Sequence, residues 1–164
     1  VEVRYHSRTP VVDVGTDAVR RQGMQSLGEG LNRLAISKQH DIVVQEQQGY
    51  VPPPLDGIFA RYPYLHNNSI PSLCALMTPP ESRPKTYVAG EPIVPGRDFD
   101  LDCVGYPTVD RAPADWKKDP IYTYDTTLEG QGNAGHYDKI FRTNGVEKYT
   151  ADQKRDLVEF LKTL

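Results

Sequence analysis

Apolar positions repeat most clearly at the C-terminal end of the chain. Leu157, Phe160, Leu161 and Leu164 fall on one face at helical spacing, while Asp152, Lys154, Arg155, Glu159 and Lys162 fall mainly on the other. Thr150 followed three residues later by Gln153 has the form of a capping box, so the pattern predicts a helix over 151–163. A second helical pattern runs from Ala18 to about Leu27, behind Thr16 or Asp17 as cap, with a ragged continuation through Leu31, Leu34 and Ile36. Gly23, Gly28 and Gly30 weaken it, each by about 1 kcal/mol relative to Ala in a helix interior. The short apolar patch Val11 to Val14 ends at Gly15, and Ile42 to Gln45 predicts a short strand. After Ser69, a plausible cap, Pro71 suits a first helical turn because its missing N–H has no helical partner there. Leu73, Leu76 and Met77 then share a face, and Pro79-Pro80 ends this short helix.

The remainder carries little periodicity. Pro52, Pro53 and Pro54 force an extended path. Residues 81–125 are proline-rich and read as a long loop insertion, with a short strand near Tyr87–Val88; a loop of this length is usually functional or packed against something. With 13 Gly and 14 Pro among 164 residues, the chain reads as a loop-rich body, and such a body often completes its core with a cofactor, a metal or a partner surface. Ten Tyr supply core area and polar tips together. No internal repeat is visible, and the length suits one domain over 1–164.

Charge excludes some classes. Nineteen Lys and Arg against 22 Asp and Glu give a net charge of −3 and no basic stripe, which argues against a nucleic-acid partner. The apolar runs are too short and too broken to span a bilayer. Cys74 and Cys103 fit either one disulfide in an oxidising compartment or two buried thiols. Neither lies in a C-x-x-C-H run, so neither can attach a c-type haem, and no zinc spacing is present. The N-terminal Val-Glu-Val-Arg-Tyr-His is neither a signal nor a transit peptide, and the chain reads as a fragment or a separately encoded subunit.

The string from Pro54 to Leu73, P-L-D-G-I-F-A-R-Y-P-Y-L-H-N-N-S-I-P-S-L, resembles a segment of bacterial di-haem cytochrome c peroxidases. The likeness continues through Pro79-Pro80-Glu81-Ser82-Arg83-Pro84, returns at Tyr124 to Gly130 and at Gly132-Asn133-Ala134-Gly135-His136, and ends in Leu157 to Leu164. Val14-Gly15-Thr16-Asp17 is similar to a further family segment. Within the family, the chain is most similar to the rubber oxygenase-like branch. The resemblance implies a mainly α, cytochrome c-like haem domain with long loop insertions, incomplete on its own and forming the C-terminal part of the larger protein. It implies a periplasmic or extracellular location and haem-iron redox chemistry: peroxide reduction, electron transfer or oxygen-dependent cleavage. Because the attachment motif is missing, haem c has to be carried by an upstream portion or a partner subunit, with an electron donor protein as a further partner. Peroxide reduction needs an open coordination site on the other haem, also outside this sequence. The alternative is a haem-free structural or binding relative that keeps the fold.

By resemblance, His136 takes the place of the distal axial ligand, which is Met in the peroxidases and His in the rubber oxygenase-like branch. His/His ligation generally lowers the potential relative to His/Met, and Gly132 and Gly135 let backbone approach a macrocycle closely. The competing reading of His136 is an exposed histidine in a glycine-rich turn. His66 falls near the haem edge or an inter-domain surface, or else ties down its own turn of Asn67, Asn68 and Ser69. Tyr64, with Tyr62 and Tyr50, either lines a haem pocket or packs in a core, and Trp116 either serves electron transfer or packs; packing is favoured for all four. Family resemblance also places backbone calcium ligands at Arg61 and Pro63, the remaining ligand lying outside the chain. Asp98, Asp100 and Asp102 alternate as in a calcium loop but lack the Gly and Glu of an EF-hand, which favours a solvated loop. His6 and His40 read as surface histidines.

Overall fold

The computed structural model describes residues 17–45 and 53–164. They divide between two compact units. The first holds residues 18–45 with Pro53 and Pro54; the second holds Asp17 and Leu55–Leu164. Val11 to Gly15, Thr16, Tyr50 and His6 lie outside the described residues.

In the first unit α1 spans Val19–Arg33 and α2 spans Ala35–Gln39, separated at Leu34, whose φ of −62° and ψ of 145° break the helix for one residue. The three glycines do not stop α1. Its N-cap is Ala18, with no side-chain cap. Asp17 turns its carboxylate to another partner, the N–H of Gly132. Residues 42–45 lie outside any strand. The Asn32 side chain accepts from the Val44 N–H at 2.8 Å and donates to the Val44 carbonyl at 2.9 Å, so one amide supplies what a neighbouring strand would. Ser37 Oγ closes the α1–α2 break by donating to Leu31 O at 2.7 Å.

The second unit contains α3 (Leu73–Leu76), β1 (Thr86–Val88), α4 (Ala114–Lys118), β2 (Thr123–Asp125), β3 (Arg142–Thr143), β4 (Val146–Glu147) and α5 (Ala151–Leu161). Strands β1 and β2 pair antiparallel, with Tyr87 opposite Tyr124, and so join the two ends of the proline-rich stretch. β3 and β4 form a hairpin around Asn144 and Gly145, both at positive φ as a tight two-residue turn demands. The α3 helix begins three residues later than expected. Ile70 precedes a proline and is therefore held extended; it bridges Tyr64 instead, and Ser72 caps the helix by accepting from the Ala75 N–H at 3.2 Å.

The expectation of a mainly α fold is overturned. Among the described residues are five α-helices, three of them only four or five residues long, with two two-stranded sheets and long irregular stretches. Prolines and left-handed residues interrupt the helical runs, and side chains satisfy the backbone that regular structure would otherwise pair. The main core gathers Tyr64, Ile70, Leu73, Val104, Tyr137 and Phe141, with Val158 of α5. A second cluster joins Val88, Ala112 and Trp116, the indole lying flat on Gly90. The α5 capping box forms as expected, but Val158 is the buried residue, whereas Leu157, Phe160 and Leu164 remain exposed. The structure joins Cys74 to Cys103 in a disulfide.

Candidate functional site

Two histidine-bearing loops of the second unit are fastened to each other. The first, residues 65–69, is pinched off by the Tyr64–Ile70 bridge, with Leu65 and Asn68 at positive φ. Stacked side chains of the β1–β2 pair hold it from below. Tyr87 Oη donates to Asn68 O at 2.6 Å, and Tyr124 Oη donates to Asn67 O. Asn67 then reaches across to the second loop, where Nδ2 donates to the carbonyls of Gly130 (3.2 Å) and Gly132 (2.9 Å). The N–H of Gly132 donates to Asp17 Oδ2 at 3.0 Å. A Cβ added at Gly132 would come to 3.0 Å from that carboxylate oxygen, which would have to shift slightly to admit it.

Arg83 secures the other side of this loop. It is 5% exposed, and every acceptor of its guanidinium is a backbone carbonyl. Nε donates to Ala75 O (3.1 Å) and Thr78 O (3.0 Å), and one terminal nitrogen donates to Leu76 O (2.9 Å). The other terminal nitrogen donates to Gly135 O (2.8 Å) and Asn133 O. The Asn133 amide adds a bond to Pro84 O at 2.9 Å. Burial pushes the Arg83 pKa down to about 10, which leaves it a cation at neutral pH.

Immediately after these anchors comes His136, half-buried and at φ +64°, a left-handed conformation in which a non-glycine residue is uncommon. Gly135 before it is buried, and Tyr137 after it is fully buried, with Oη donating to Glu147 Oε2 and accepting from Lys154 Nζ, both at 2.6 Å. The pKa of His136 is lowered, first by burial and then by the neighbouring His66 and Arg83. Its imidazole is thereby biased toward the neutral form, the form in which a ring nitrogen ligates iron. His66 is half-buried, with its Nε2 shielded from solvent. The structure thus brings His136, His66 and Gly135 into one region.

The other expected residues fall elsewhere. Tyr64 is a core residue whose hydroxyl donates to Val104 O at 3.3 Å. Arg61 is exposed and Pro63 half-buried, on either side of Tyr62, whose ring meets Phe99 and Tyr106. Asp98 is buried and held well below the usual carboxylate range by Arg97 and by the N–H groups of Val94 and Ile93. Asp100 accepts from the N–H groups of Asp102 and Cys103 and from Arg111. Their oxygens organise the loop, and among the described residues no group of three or more His, Cys, Asp or Glu is placed to hold a metal ion. Trp116 packs in the second core, and His40 is exposed at the end of α2. Sequence reasoning missed Arg83 and Asn67 as organisers. Both lie inside the quoted motif blocks, but nothing in their spacing announces that one would gather carbonyls from two distant segments and the other from the glycine loop.

The chemistry of the donors can be set against the needs of a haem. A c-type haem takes cysteine thiols for its tether and a proximal donor to the iron, with a second axial donor where the iron is six-coordinate. The chain's two cysteines are joined to one another, so they cannot supply the tether. A neutral, half-buried imidazole flanked by a glycine meets the requirement for one axial donor. The donor chemistry of His136 suits an axial position, and the disulfide-bonded cysteines do not suit an attachment site. Among the described residues no helix is long and apolar enough to cross a membrane.

Comparison with known proteins agrees on a region. Residues 49–88, which contain His66, Cys74 and Arg83, match the RoxA-like, cytochrome c-like family. The chain is 37% identical over 123 residues to the uncharacterized protein y4iJ of Sinorhizobium fredii, covering 74% of this chain and 19% of that protein. It is 39% identical over 126 residues to the uncharacterized protein y4iM of the same organism, covering 71% of this chain and 27% of that protein. The chain therefore spans about a fifth to about a quarter of the length of these curated relatives.

Proposed function

We propose that this RoxA-like, cytochrome c-related chain serves as the distal-ligand segment of a di-haem c-type cytochrome, presenting His136 to the iron of a haem carried upstream or on a partner chain. The observation that carries the reading is the mounting of His136: a neutral imidazole at positive φ, with Gly135 bound to Arg83 on one side and the buried Tyr137 on the other. A bound haem c would supply one-electron chemistry at iron. This chain's own work is to present a nitrogen lone pair, to hold its ring in one orientation, and to exclude water around it with Tyr137 and the 65–69 loop. His66 supplies a second, shielded imidazole whose charge influences His136. The Cys74–Cys103 disulfide supports placing the protein in the periplasm or outside the cell, where disulfides persist. Electrons would arrive from a separate donor protein.

A second reading, a haem-free binding or structural relative, draws support from the same disulfide, which braces the second unit without any cofactor. Visible and electron paramagnetic resonance spectra of the purified haem-bearing protein separate the two. The proposal expects a low-spin, six-coordinate spectrum that His136→Ala converts to high spin and that added imidazole restores. A colourless protein with a cooperative melt, or a low-spin spectrum indifferent to His136→Ala, would overturn it.

A further inference from the structure

We infer that Arg83 is the positioning residue of His136, a planar cation that fixes the turn carrying the imidazole to the end of α3. The inference rests on the reading of His136 as an iron ligand, and it deepens that reading by naming what aims the ring.

Arg83 is set apart by what it lacks. Its guanidinium is buried, and none of its hydrogen bonds goes to a carboxylate. A buried charge with no counter-ion among its hydrogen-bond partners is costly unless dipoles replace the water it has lost. Here five carbonyls do so, and they come from two places. Ala75, Leu76 and Thr78 lie at and just beyond the end of α3, where helical carbonyls run short of donors, and Ala75 O also accepts from the Thr78 N–H. Asn133 and Gly135 belong to the glycine loop. The arginine is therefore a bracket between a helix end in the main core and the residue immediately before His136. Because Gly135 can rotate freely in the absence of such a bond, its carbonyl is the point at which orientation is most easily lost.

Only a guanidinium can perform this. Its donors project from three nitrogens in one plane, whereas a lysine offers three donors from a single atom and cannot reach both groups of carbonyls. The same cation lies 5.7 Å from the centroid of Tyr137, the residue after His136, and its charge helps to lower the His136 pKa. Were a haem held through His136, this fixed positive charge would disfavour the oxidised metal. Geometry and charge can be separated by substitution: Arg83→Lys keeps the charge and loses the fork, and Arg83→Gln loses both.

Two measurements test the inference. In the 164-residue chain, without haem, amide hydrogen exchange in Arg83→Lys should accelerate by about tenfold or more at residues 133–137 while α5 and the β1–β2 pair stay within about threefold of the parent. The His136 ring signal should be single in the parent and should split or broaden in Arg83→Lys. Uniform acceleration throughout the unit, loss of a cooperative melt, or an unchanged loop would each overturn the positioning role. In the haem-bearing protein, Arg83→Lys should reduce the low-spin fraction, added imidazole should rescue it, and Arg83→Gln should in addition lower the reduction potential relative to Arg83→Lys. If His136→Ala abolishes the low-spin spectrum while Arg83→Lys leaves it intact, the inference about Arg83 fails and the ligand reading stands. If His136→Ala changes nothing, the ligand reading fails, and the exchange measurement alone decides whether Arg83 orients the turn.

Discussion

At position 136 a side chain and a backbone conformation make opposite demands. The imidazole has chemical use, but φ of +64° suits glycine better than any residue with a Cβ. A left-handed residue of this kind costs about 1–2 kcal/mol, and the cost is sustained only when the surroundings fix the turn. Those surroundings are the carbonyl of Gly135 bound to Arg83 and the hydroxyl of Tyr137 bound to Glu147 and Lys154. The two contributions can be separated in the haem-free chain. His136→Ala removes the ring and keeps the backbone cost, whereas His136→Gly removes both. His136→Gly should therefore unfold at higher denaturant than His136→Ala, by about 1 kcal/mol, reversing the usual disadvantage of glycine. Both substitutions should abolish ligation in the haem-bearing protein alike. Equal stabilities in urea titrations would show that the loop relaxes around this residue and stores nothing there.

At the scale of elements, short pieces are joined by close backbone contact more than by broad faces. The segment carrying Cys103, Val104 and Gly105 runs against Pro71, Ser72 and Leu73: Leu73 N–H donates to Cys103 O at 3.0 Å and Tyr106 N–H to Pro71 O at 2.9 Å. Gly105 sits at φ +148°, and a Cβ there would overlap the Pro71 carbonyl and come within 2.7 Å of Ser72 Cα. Gly105→Ala should destabilise the second unit by about 1–3 kcal/mol or more, since neither backbone can yield cheaply. Gly23, inside α1 with nothing near its Cβ position, offers the contrasting case, and Gly23→Ala should stabilise by about 0.5–1 kcal/mol. Thermal melts of the two variants moving in the same direction would contradict this account. The same contrast explains what could be read in advance. The α5 capping box was legible because Thr150 and Gln153 lie three residues apart and act locally. The β3–β4 hairpin was legible in principle from Asn144-Gly145 but went unread, and residues 42–45 did not pair as a strand because an asparagine twelve residues away satisfies Val44. The site was half legible: motif blocks marked His66, Gly135 and His136, but the long-range carbonyl contacts of Arg83 and Asn67 span up to 65 residues and leave no local periodicity.

At the scale of the whole molecule, the described chain has little regular structure to oppose the entropy of its loops. Much of the second unit between α3 and β2 is irregular, and its cores are small clusters under those loops. A covalent cross-link matters most in such a body, because it removes freedom from the unfolded chain that weak local structure cannot offset. Cys74 and Cys103 are 29 residues apart, and closing a loop of that length is worth about 3–4 kcal/mol in the chain-entropy description. Both cysteines are half-buried, and the N–H groups of Leu73 and Cys74 donate to Cys103 O, contacts that do not involve the sulfurs. The double substitution Cys74→Ser with Cys103→Ser should therefore preserve the native arrangement while lowering its stability by about 3–4 kcal/mol. The loss should come through the unfolded state: the dependence of unfolding free energy on urea should steepen, because an uncross-linked chain exposes more surface when it opens. Reduction of the parent by a dithiol should reproduce both changes. If the serine variant loses stability with no change in that slope, the link acts by holding the native 99–105 segment against α3, and the loop-entropy argument does not apply to this chain.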